Sequence, residues 1–121
     1  MAYNQELAGR VRRLLAGEPG VIEKTMFGGC TFMVMGNMCC GVLKNDLVVR
    51  IGQDRYQEAL AQSSTRPMDF TGRPLKGMVY IAPEGLTTDD ALKDWINWGL
   101  SFVRSLPPGR PSTLRRARRQ Q

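Results

Sequence analysis

Near the start of the chain Leu7, Val11, Leu14 and Leu15 recur at helical spacing, with Asn4 placed to cap the first turn. Gly17 and the Pro19-Gly20 pair stop that helix. Residues 21–27 then read as extended, and Gly28-Gly29 marks a bend or bulge before the next strand. Two apolar runs follow, 30–35 and 38–43, separated by Gly36-Asn37, a dipeptide suited to the positive φ of a tight hairpin. Asn45-Asp46 serves the same way before a third run at 47–51. The pattern predicts three adjacent antiparallel strands. With two-residue loops at both places, Met35 faces Met38, Met33 faces Cys40, Thr31 faces Val42, and Val42 faces Val49. One sheet face then carries Met33, Met35, Met38, Cys40, Val42, Leu47, Val49 and Ile51, and is the better core face. The other carries Cys30, Phe32, Val34, Cys39, Leu43, Val48 and Arg50.

Further along, 54–61 reads as a short helix with Tyr56, Ala59 and Leu60 on one side. Met68 and Phe70 alternate with Asp69 and Thr71, and Gly72-Arg73-Pro74 turns the chain into a strand at 78–82. Thr87 or Thr88 caps a last helix opened by Asp89 and Asp90, whose stripe is Leu92, Trp95, Ile96, Gly99, Val103 and Leu106. Trp98 and Phe102 widen the stripe, so this helix packs on more than one surface or covers a homodimer contact. The expected fold is α+β in two layers. An antiparallel meander of about four to five strands is flanked by N-terminal, middle and long C-terminal helices. A chain of 121 residues has room for one such core, placed at 1–108, with 109–121 as a flexible arginine-rich tail.

Charge changes the picture only at that tail. The net charge is +6, but Arg110, Arg115, Arg116, Arg118 and Arg119 have no acidic residue near them, and the body without them is close to neutral. A solvated extension is the plainer reading of such a run, and salt-dependent, non-specific contact with DNA phosphates is the functional one. No secretory apolar region opens the chain, and no stretch of about 18 apolar residues could span a membrane. Three cysteines, an odd number, fit reduced thiols and a cytoplasmic protein better than a disulfide framework.

Histidine is absent, which removes the commonest general base and the commonest metal ligand. Cys39 and Cys40 are adjacent on a strand and therefore point to opposite faces, while Cys30 shares the Cys39 face about 13 Å away along the strand. Neither a metal nor a disulfide is expected from them. Buried, inert thiols are the plain reading; a thiol site at Cys39, with Arg50 on the same face as its cationic partner, is the functional one. Met33, Met35 and Met38 read as gap-filling core rather than as copper(I) ligands. Arg66, Arg73 and Lys76 flank the Phe70 turn as a weak anion site or a solvated loop. No catalytic residue or cofactor is expected.

The order of short motifs nevertheless has a family likeness. Lys24-Thr25-Met26-Phe27-Gly28-Gly29, Phe32-Met33, Asn37-Met38-Cys39-Cys40-Gly41-Val42 and the stretch from Leu47 to Arg50 resemble the TfoX N-terminal domain family, also called TfoX/Sxy. Residues 66–74, the strand from Gly77 to Ile81, Trp95, Gly99-Leu100 and Ser105-Leu106-Pro107-Pro108 are similar to that family's second half. The resemblance implies a two-layer α+β domain and a non-enzymatic regulatory role. Such regulators act in bacterial natural competence and transcription regulation, with a transcription factor as protein partner. They typically carry a second, C-terminal domain, whereas here only the arginine tail follows Pro108. The alternative is a small-molecule or thiol-responsive binding module, which would show a pocket between the sheet and the last helix.

Overall fold

The structure is a computed structural model that describes residues 3–26, 28–68 and 77–106. Asn4 caps the first helix, α1 (Gln5–Leu14), by accepting a hydrogen bond from the Leu7 amide at 3.0 Å. The strands are β1 (Val21–Met26), β2 (Gly29–Val34), β3 (Asn37–Leu43), β4 (Asp46–Arg50), β5 (Thr65–Pro67) and β6 (Met78–Ile81). A 3-10 turn, Gln53–Arg55, leads into the short helix α2 (Tyr56–Leu60), and the long helix α3 (Asp89–Arg104) follows the last strand. Of the two threonines that could cap α3, Thr88 does so, accepting from the Ala91 amide at 3.0 Å.

The strands form one antiparallel sheet in the order β1-β2-β3-β4-β6-β5, an α+β fold as expected. Among the described residues it has six strands rather than four or five. The addition is β5, whose three residues are too few to show an alternating pattern, and which pairs with β6 from Thr65↔Ile81 to Pro67↔Val79. The middle strands thus form a meander, but β6 inserts between β4 and β5.

The hairpins are displaced from their expected positions. Met35-Gly36 forms the first loop, with φ of 51° and 83°, and Asn37 becomes a strand residue opposite Val34. Lys44-Asn45 forms the second, with Lys44 at φ 55°, so Val42 faces Leu47 rather than Val49. A loop moved by one position shifts each pairing by two residues, which leaves the faces unchanged. A β-bulge changes them. Met33 faces Met38 but Phe32 faces Cys40, so Cys39 is an extra residue on β3 and the sides of β2 are exchanged relative to it.

The core face therefore carries Cys30, Phe32 and Val34 from β2, exposed by no more than 2%, and not the methionines. Met33 and Met38 are half-buried and Met35 is 53% exposed. On β3 and β4 the expected inward residues Cys40, Val42, Leu47, Val49 and Ile51 are buried as predicted. Leu7, Val11 and Leu15 from α1, and Leu92, Ile96, Leu100 and Val103 from α3, complete the same core with Tyr56 and Ala59 of α2. An ion pair from Arg10 of α1 to Asp89 at the start of α3, and one from Glu18 in the turn after α1 to Arg104 at the end of α3, tie this N-terminal segment along the last helix.

A third ion pair fastens α1 to the edge strand. Arg12 donates from Nε and Nη2 to the two carboxylate oxygens of Glu23 at 2.8 and 2.7 Å, and Cys30 Sγ donates to the same carboxylate at 3.0 Å. Arg12 chiefly, and Cys30 less, hold the Glu23 carboxyl down at about 2 against an ordinary 4.5. A carboxylate whose folded value is depressed stabilises above its unfolded value and loses that contribution as pH falls through the folded one. Glu23→Gln is thus expected to cost up to about 1 kcal/mol at pH 7, since solvent screens this surface pair. The difference from the parent should shrink steadily below pH 4.5 towards pH 2, as read by urea denaturation at several pH values.

Candidate functional site

At the end of β4 the chain turns beneath the last helix. Ile51 and Gly52 both donate their amides to the Gly77 carbonyl, at 2.6 and 3.1 Å, and Gly52 takes φ 92°, ψ 153°. That conformation lies where essentially only glycine is found. The missing side chain has a second use: a Cβ at Gly52 would stand 2.5 Å from two ring carbons of Phe102 on α3. The ring therefore rests on bare backbone.

Between this turn and the C-terminal half of α3 lies a cleft of about 440 Å³. Its floor and walls are Ile51, Gly52, Trp98 and Phe102, and its open side is formed by Gln53, Asp54, Arg55, Ser101 and Ser105, all exposed. Arg55 lies with Cζ 4.4 Å over the Trp98 ring, and Trp95 stacks on Trp98 at 5.2 Å with planes 13° apart. Both Nε and Nη2 of Arg55 donate to Glu58 at 3.2 Å, which balances its charge.

Arg50 differs from Arg55. Its Cζ sits 5.3 Å over the Phe102 ring, and among the described residues it has no carboxylate partner and no side-chain hydrogen bond. Burial pushes its proton affinity below that of an ordinary guanidinium. The Trp98 Nε1–H is buried and also lacks an acceptor among the described residues. The cleft thus combines aromatic surface with serine hydroxyls on a helix edge, and beside it Arg50 has no carboxylate partner among the described residues.

The thiols are placed differently from expectation. A Cβ added at Gly99 of α3 would meet the Cys39 carbonyl oxygen at 3.1 Å, Val49 Cγ1 at 3.1 Å and Cys39 Sγ at 3.2 Å. Cys39 therefore points to the helix side, as Cys40 does, because the bulge cancels the alternation between neighbours. Cys30, opposite Val42, is a diagonal neighbour of Cys40 on that face rather than remote from the pair. All three are free and buried, with Cys39 at 0% exposure. Burial and the Glu23 carboxylate push the Cys30 thiol up to about 12, and the Cys39 thiol and burial raise Cys40 as well. Among the described residues no group of these side chains could hold a metal ion.

Arg66 pairs with Asp46 at 2.6 Å and stacks on Tyr80 at 4.4 Å, so its charge is used within the sheet. Arg73 and Lys76 lie outside the described residues, as do Arg110, Arg115, Arg116, Arg118 and Arg119 and the whole segment 107–121. The cleft itself was only half visible in the sequence. The widened stripe at Trp98 and Phe102 marked one wall, whereas Gly52 and Arg55 gave no signal before the turn brought them under α3.

The comparison with known families now decides the relationship. A family model described as the TfoX N-terminal domain matches residues 13–103. The chain belongs to that family. The matched span takes in the six described strands and the cleft residues from Ile51 to Phe102, while Ser105 and most of α1 lie outside it. No curated protein and no solved structure matches the chain. Among the described residues no helix is long and apolar enough to cross a membrane.

Proposed function

We propose that this chain is a non-enzymatic regulatory domain whose folded body binds a protein partner of the transcription-factor class, with the arginine tail adding non-specific contact to DNA. The observation that carries the reading is the open cleft walled by Trp98 and Phe102 with Arg55 and Arg50 on their rings. Tryptophan and arginine dominate binding hot spots, and stacked guanidinium groups offer recognition rather than acid or base chemistry at neutral pH. Membership of the TfoX N-terminal domain family supports the regulatory role, with competence and transcription as its settings. A cytoplasmic location belongs to the same reading, since three free cysteines keep best in a reducing compartment.

The DNA arm has a direct test in fluorescence anisotropy with duplex DNA across a salt series. The full chain is compared with a variant in which Arg110, Arg115, Arg116, Arg118 and Arg119 are all glutamine. The full chain should bind with a log–log salt slope steeper by about 4 to 5, one unit for nearly every arginine on a phosphate. Equal binding by the two at low salt removes DNA from the proposal and leaves the partner-binding body. A small-molecule module is the second reading, favoured by a cleft volume of about 440 Å³ between the end of the sheet and the last helix. Its thiol-responsive form finds no accessible sulfur at Cys39.

A further inference from the structure

We propose that two copies of this chain join edge to edge through β1, on a two-fold axis at Ile22, so that their sheets continue into each other. This contact is separate from the cleft and does not depend on it. Among the described residues β2 is the one strand that pairs with β1, and Ile22, Glu23, Lys24 and Thr25 along it are all exposed. Unpaired backbone groups on an exposed edge are a template for another strand. Their direction is fixed. The Gly20 carbonyl accepts from the Met35 amide at 2.9 Å, across to the β2 side, so the Val21 amide on the same trans peptide points the other way. By alternation Val21, Glu23 and Thr25 turn their N–H and C=O groups outward, and their side chains lie on the helix side, where Glu23 meets Arg12.

An added copy of β1 running antiparallel has to pair these outward residues with one another. That keeps the helices of both copies on one side of the joined sheet and leaves few registers. An axis at Glu23 sets two carboxylates directly opposite, and an axis at Lys24 two ammonium groups; like charges so placed are destabilising. An axis at Val21 sets Glu23 against Pro19, which has no N–H, and one at Thr25 carries Ile22 out to the Gly28 turn of the second copy. An axis at Ile22 does neither. It sets Ile22 on Ile22 as a pair without hydrogen bonds, the closer kind, and lets Val21 and Glu23 exchange both backbone hydrogen bonds. Lys24 then lies across from Gly20, which has no side chain.

The open face of the sheet makes the same choice. Among the described residues only Ile22, 56% exposed, and Met35, 53% exposed, are large, apolar and exposed, and both stand at this end of the edge. Ile22 faces Met33 and Met33 faces Met38, so an apolar row crosses three strands and ends at Ile22. Met35 lays its Sδ over the bare backbone of Gly20 beside that row. The axis at Ile22 joins the row to its own copy, which is the self-complementary patch a two-fold contact requires.

Sedimentation velocity of the full chain tests this over about a hundredfold range of concentration, since a contact of one strand sits at the weak end of dimer affinities. A reversible dimer is expected. Ile22→Lys, which puts two ammonium groups on the axis, should weaken it about tenfold or more and leave thermal unfolding unchanged, because Ile22 is exposed. Ser101→Arg, on the exposed edge of α3, should leave the dimer intact. Ile22→Cys should form a covalent dimer under mild copper–phenanthroline oxidation, its Cα atoms about 4.5 Å apart across the axis and within disulfide reach. Lys24→Cys should form far less, and the three native thiols are buried. A monomer at every concentration leaves this edge to solvent or to a strand of another protein and overturns the proposal. A dimer that survives Ile22→Lys, or that is lost in Ser101→Arg instead, places the contact elsewhere and overturns it too. Cross-linking through position 24 in preference to 22 overturns the axis. None of these outcomes alters the reading of the cleft as a partner site.

Discussion

Phe32→Ala is expected to destabilise the domain by about 3–5 kcal/mol, whereas Met33→Ala should cost no more than about 1 kcal/mol. The contrast follows from the bulge at Cys39. Phe32 is 1% exposed and faces Cys40 on the helix side of the sheet, while Met33 is half-buried on the other side. Removing the ring takes apolar area from the middle of the core and leaves a cavity walled by residues that are themselves packed. Removing the Met33 side chain takes away a flexible thioether that already meets solvent. Urea denaturation of the two variants under one set of conditions measures both. Comparable losses, or a larger loss for Met33, would mean that the simple alternation of the unbulged hairpin is right.

Gly52→Ala should cost about 3 kcal/mol and disturb the cleft. Part of this is backbone strain, since φ 92°, ψ 153° is a region that an L side chain occupies only at a cost of about 1–3 kcal/mol. The rest is overpacking, because the new methyl group would lie 2.5 Å from Phe102 ring carbons. Either the ring leaves its seat under Arg50 or the turn moves off Gly77. Both change the tryptophan environment one helical turn away at Trp98. Gly17→Ala is the matched control, for a Cβ there meets nothing within 4 Å and the backbone is not at positive φ. Thermal unfolding and tryptophan emission of the two variants give the comparison. An unperturbed Gly52→Ala protein would contradict the geometry of the turn.

Much of this architecture was legible along the chain for a simple reason: periodic burial writes itself into sequence. The stripe from Leu92 to Val103 and a cap at Thr87 or Thr88 define α3, and Asn4 with Leu7 and Val11 defines α1. The alternation in β4 correctly placed Leu47, Val49 and Ile51 inward. What failed was local and had one cause. Period-two reasoning assumes that every residue takes its turn, and a bulge inserts one that does not. Simple alternation consequently puts Cys39 on the wrong face, β2 with it, and sets Cys30 apart from the cysteine pair although it lies diagonal to Cys40.

The site was harder to read because its parts are distant in sequence and chemically ordinary one at a time. Arg50 reads as an outward strand residue, and no pattern along the chain singles out Gly52. Only the tertiary turn sets one guanidinium over Phe102 and lets that ring rest on the other's bare backbone. Trp98 and Phe102 were visible as an excess of apolar width on α3, which is the sequence signature of a helix with more to cover than its own core.

The most direct test of partner recognition by the folded body is site-specific photo-cross-linking in cells that express the full chain. A photoreactive residue replaces Ser101 at the cleft or, as a control, Lys24 on the edge strand. One dominant protein adduct is expected from position 101, absent from position 24 and sharply reduced when Arg55→Gln, at the cleft over Trp98, is added. Adducts that are the same from both positions, or that persist undiminished in the Arg55→Gln background, would contradict partner recognition at this cleft.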